Sequence, residues 1–76
     1  MNSYKDLIES NHNIMLGKPV IKGTRITVEL VLKKFSEGCS IPEILEIYPH
    51  INYKQIQACL EYASDVIGSE EMLEAV

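Results

Sequence analysis

From residue 28 onward, apolar positions recur at helical spacing; before it they come in short runs broken by glycine and proline. Val28, Val31, Leu32 and Phe35 fall at i, i+3, i+4 and i+7, a single helix face, with Glu29, Lys33, Lys34 and Glu37 largely off it. Thr27 is placed to cap this helix, and Gly38 supplies the left-handed residue that helix C-termini favour. Ile41, Ile44, Leu45 and Tyr48 repeat the spacing on a short second helix. Ile56, Leu60, Ala63 and Ile67 do so on a longer third, with Cys59, Tyr62 and Val66 widening the stripe.

The starts of the second and third helices are marked by capping boxes. Ser40 with Glu43, and Asn52 with Gln55, set a short polar side chain three residues before a long one. Each side chain can then satisfy an orphan backbone N–H of the other residue. Pro42 fits the first turn of its helix, whereas Tyr48-Pro49 ends it, because the residue before a proline is pushed out of the α region. A short helix, a brief connector and a longer helix over residues 40–67 make a helix-turn-helix outline. The same outline also describes an ordinary pair of antiparallel helices.

The N-terminal third is less regular. Tyr4, Leu7 and Ile8 share one side of a helical turn over 4–10, and Ser10-Asn11-His12-Asn13 is a polar loop. Residues 14–27 hold Ile14-Met15-Leu16, Val20-Ile21 and Arg25-Ile26-Thr27, separated by Gly17-Lys18-Pro19 and Gly23. This predicts two or three very short strands, which need a partner from the same chain or from a second subunit. The fold class expected is mainly α. A tri-helical bundle with a helix-turn-helix outline occupies 28–67 of a single domain over 1–76, preceded by a short β element. Residues 69–76 follow as an acidic helix or tail.

Charge changes this picture. The net charge is −4, contrary to a generic nucleic-acid binder, but the charges are segregated. Residues 1–38 carry six cations against four carboxylates; residues 39–76 carry Lys54 alone against seven carboxylates. Such polarity suits two kinds of partner, or charge-directed self-association. At 76 residues the core is small, and a homodimer would help it.

In a helix-turn-helix the start of the second helix meets base edges, which nominates Asn52, Tyr53, Lys54 and Gln57. The competing reading is that Asn52 only caps, Tyr53 packs and Gln57 is solvated. Glu61 follows on the same face as Gln57, and one lysine releases few counterions. Further grip on phosphate must come from Lys18, Lys22, Arg25, Lys33 and Lys34. Arg25 has a structural alternative, tying the β segment to a carboxylate or to helix carbonyls. In the acidic tail, Glu70, Glu71 and Glu74 alternate with Met72 and Leu73, a segment suited to folding on a basic protein partner.

Other chemistry is sparse. Cys39 and Cys59 lack metal-ligand spacing and read as reduced thiols of a cytoplasmic protein. His12 and His50 lie in separate loops with no nucleophile tied to them by spacing, so no enzyme, metal or cofactor is expected. No apolar run approaches the length of a membrane helix, so no membrane partner is expected.

The run G-K-P-V-I-K-G-T-R-I-T-V-E-L-V-L, followed by E-G-C-S-I-P-E-I-L-E-I-Y-P-H-I-N-Y-K-Q-I-Q-A-C-L-E-Y-A, resembles the bacterial and archaeal DUF433 family over residues 14–63. The shared elements are the proline before G-T-R-I, a helix, a glycine, S-x-x-E-I-L, Y-P and a last helix ending near Y-A. The resemblance implies a homeodomain-like or winged-helix-like tri-helical domain with a short N-terminal β element. It also implies a VapB-type antitoxin that binds its own operator DNA and neutralises a PIN-like ribonuclease toxin. The alternative function is a protein-interaction adaptor that uses the same scaffold without nucleic acid.

Overall fold

A computed structural model describes residues 4–68, with helices α1 (Val28–Ser36), α2 (Ile41–Ile47) and α3 (Tyr53–Gly68) following strands β1 (Ile8–Glu9) and β2 (Val20–Ile21). The three helices and the two-stranded antiparallel sheet give the mainly helical fold that the apolar spacing predicts.

The helix ends form as the cap residues require. Thr27 Oγ1 accepts from the Leu30 N–H at 2.9 Å. At the other end of α1 the Gly38 N–H donates to Phe35 O and the Cys39 N–H to Lys34 O, the paired bonds of a Schellman motif. Gly38 closes it at φ +95°, where a Cβ would be strained. The Ser40 N–H donates to Glu43 Oε1 at 2.7 Å, and the Glu43 N–H returns a bond to Ser40 Oγ at 3.3 Å. The Asn52–Gln55 box is tighter, at 2.8 and 2.9 Å. Asn52→Ala is expected to cost about 1 kcal/mol, read as a lower urea midpoint at unchanged slope.

Two readings of the N-terminal third are corrected. Ile8 lies in a strand rather than on a helical turn; only Tyr4–Asp6 coils, as a single 3-10 turn. Ile8 pairs with Ile21 and Glu9 with Val20, and Thr27 bridges to the other edge of Val20. The β element therefore pairs within one chain. Ile14-Met15-Leu16 is not a strand, because both edges of Val20 are already taken. It enters a tight turn in which Met15 and Leu16 hold φ of +50° and +59°.

Ile21, Val31, Ile44 and Ile56 are fully enclosed, with Val20 and Cys59, and the core draws on the sheet and all three helices. Tyr4 covers one side, its ring edge-on to Tyr62 at 5.4 Å. The buried face of α3 is narrower than its apolar stripe. Ile56, Ala58 and Cys59 are buried and Tyr62 and Ala63 half-buried, whereas Leu60, Val66 and Ile67 are exposed.

Burial pushes the Cys59 thiol up to about 11 from its ordinary 9.0. A raised thiol pKa favours the folded state below the unfolded value, and that contribution is lost as pH rises through the folded one. Denaturation midpoints should therefore fall between about pH 9 and 11. A thiol reagent at neutral pH should modify half-buried Cys39 readily and Cys59 only on unfolding.

Candidate nucleic-acid interface

The G-T-R turn is built by its own side chain. The Thr24 N–H and Oγ1–H both donate to Ile21 O, at 2.9 and 2.8 Å, and Thr24 Oγ1 accepts the Ile26 N–H at 2.9 Å. Gly23, at φ +82°, takes the third position of this turn, where only a residue tolerant of positive φ fits. Arg25 is thereby held at the surface. Its guanidinium makes no hydrogen bond or ion pair among the described residues, so the structural tie considered for it is not made.

Arg25 stands in the wall between two open concavities. One, of about 280 Å³, is lined by Met15, Lys18, Arg25, Thr27, Glu29, Leu30 and Lys33. The other, of about 440 Å³, is lined by Ile14, Gly23, Thr24, Arg25 and His50. His50 belongs to the connector between α2 and α3, two residues before the Asn52 cap. The fold thus sets the basic end of the chain beside the start of the long helix. No local pattern announces this neighbourhood: 25 residues separate Arg25 from His50. In the sequence His50 is a loop histidine with no nucleophile tied to it by spacing, so nothing local marks it.

Of the nominated cations, Lys18, Arg25 and Lys33 are brought together. Lys18 Nζ donates to Glu29 Oε1 at 2.9 Å, an exposed pair of small energetic weight. That hydrogen bond, then the Lys18 charge and more weakly that of Lys33, holds the Glu29 carboxyl below its usual range. Glu29 therefore stays ionised and offsets one of the three cations. Lys22 sits exposed at the hairpin turn and lines neither concavity. Lys34 is paired with Glu37 at 3.7 Å and also lines neither. At the start of α3, Tyr53, Lys54 and Gln57 are exposed, while the Asn52 side-chain Oδ1 accepts the Gln55 N–H.

A third, purely apolar groove of about 240 Å³ lies between α1 and the far half of α3, lined by Pro19, Val28, Leu32, Tyr62, Ala63, Val66 and Ile67 with Glu29. The nominated partner residues Glu70, Glu71, Met72, Leu73 and Glu74 lie outside the described residues. Among the described residues no cluster of His, Cys, Asp or Glu could hold a metal ion, and no helix is long and apolar enough to cross a membrane.

The family described as "Protein of unknown function (DUF433)" matches residues 8–63, from β1 through most of α3. The chain belongs to the DUF433 family. The matched span includes the G-T-R turn, both capping boxes and Arg25 with His50. Among relatives of this DUF433 domain is the uncharacterised protein y4eO of Sinorhizobium fredii (strain NBRC 101917 / NGR234), 30% identical over 59 residues. That alignment covers 78% of this chain but only 27% of the relative, so the chain spans about a quarter of that protein's length. No solved structure matches the chain.

Proposed function

We propose that this DUF433 domain is a DNA-binding regulator of antitoxin type, acting as a dimer on operator DNA. The observation that carries the reading is the position of Arg25. It is exposed and without a partner among the described residues, and it joins the Lys18–Lys33 concavity to the surface beside His50 and the start of α3. Phosphate contacts from Arg25 and Lys33 would fix the domain on the duplex, while Lys54 and Gln57 meet base edges. Pairing of two copies through the apolar groove would double a cation set too small to act alone. The acidic segment 69–76 is then left for a PIN-like toxin.

The test is titration of labelled duplex from the protein's own upstream region at low salt. A saturable, salt-sensitive complex supports the reading; no complex, with or without a co-purifying protein, sinks it. Within this reading, Ile67→Asp is expected to convert a dimer to monomer in sedimentation without unfolding the chain, since Ile67 is 72% exposed.

A second reading, a protein-interaction adaptor without nucleic acid, draws on the net charge of −4 and the same groove. It is distinguished by Lys54→Glu, which would leave partner capture unchanged.

A further inference from the structure

The turn at Ile14–Gly17 presents an apolar side chain to solvent at a cost to the fold. Met15 and Leu16 occupy the two central positions with φ of +50° and +59°, and the Gly17 N–H donates to Ile14 O at 3.0 Å. Positive φ at both central residues defines a type I′ turn, which Asn-Gly normally fills because other side chains are strained there. Leu16 is 92% exposed, so its side chain contributes nothing to the core. The turn is nonetheless firmly built. The Ile14 N–H donates to Asn11 O and the Lys18 N–H to Met15 O, while the Asn13 N–H donates to Asn11 Oδ1. Met15 and Lys18, on either side of Leu16 and Gly17, line the concavity shared with Arg25 and Lys33. A strained, exposed leucine beside a cation-lined concavity is a feature the fold itself does not use.

We propose that Leu16 is a wedge that enters the minor groove of duplex DNA and partly unstacks a base step, with Arg25 and Lys33 holding the flanking phosphates. The inference rests on the DNA-binding reading. Charge complementarity selects the occupant: the concavity lined by Met15, next to Leu16, carries three cations and one carboxylate that is already paired. Leucine and methionine are among the side chains that act in this way, kinking the duplex toward the major groove. The α3 start, reached across Arg25, is then aimed at the adjacent major groove, as in helix-turn-helix proteins that also use a minor-groove arm.

The experiment uses the full chain and an end-labelled duplex of its upstream region, reporting affinity by anisotropy and bending by energy transfer between the ends. Wild type is expected to bend the duplex by roughly 20–90°. Leu16→Gly keeps the left-handed turn without the side chain. It is expected to lose the bend and roughly tenfold in affinity while retaining the salt dependence, because the cations are intact. Leu16→Met should restore the bend. If wild type binds but Leu16→Gly binds and bends equally, the wedge is overturned and the DNA-binding reading stands. If wild type binds no duplex at low salt, both fall.

Discussion

Ile44→Ala is expected to remove about half of the stability of the fold. Ile44 is the one fully enclosed side chain of α2, and it holds that short helix against the shared core. A helix of seven residues has no stability of its own in water. Truncating an enclosed isoleucine costs about 2–5 kcal/mol, by lost transfer energy plus the cavity left behind. A chain of 76 residues has about 4–11 kcal/mol to lose. Urea denaturation followed by circular dichroism checks this: the midpoint should fall by about half, with the wild-type slope if unfolding stays two-state. Ile44→Val, which removes one methylene, should cost only about 0.5–1.5 kcal/mol.

Arg25→Glu is expected to act on the other axis, with binding abolished and folding spared. Arg25 is exposed and bonded to nothing within the described chain, so stability should change by less than about 0.5 kcal/mol. On a duplex the substitution places a carboxylate where two concavities meet, beside Glu29. Like charge against phosphate, repeated in both subunits of the proposed dimer, should weaken binding by roughly a hundredfold or more. Anisotropy titration at low salt measures this, and an unchanged melting curve shows that the loss is not one of folding. Lys34→Glu is the matched control. Lys34 is paired with Glu37 and lines neither concavity, so its effect on binding should be small.

What was legible in the chain follows the range of the forces involved. Thr27, Ser40 with Glu43, and Asn52 with Gln55 act within three residues, and each makes the bond its spacing predicts. The inward faces of α1 and α2 follow the helical period of their apolar residues. The period did not reveal where α3 leaves the core, because burial of Leu60, Val66 and Ile67 depends on what lies opposite them. Nor did β-forming residues identify the strands. Ile14-Met15-Leu16 has the right composition, but Ile8–Glu9 and Thr27 occupy the two edges of β2. The candidate surface was half legible. Charge segregation marked the basic segment, and the capping box marked the start of α3. Their junction at Arg25 and His50 is a long-range packing result, and the strain at Met15 and Leu16 has no counterpart in residue type.

The most direct test of the central claim, that a surface centred on Arg25 grips phosphate, is the salt dependence of duplex binding by wild type and Arg25→Ala. With Arg25 and Lys33 on phosphate in each subunit of the proposed dimer and Lys18 offset by Glu29, the log–log slope should be about −4 for wild type. Losing two contacts per dimer should bring Arg25→Ala to about −2. Equal slopes for the two proteins, or binding by neither at low salt, would contradict the account.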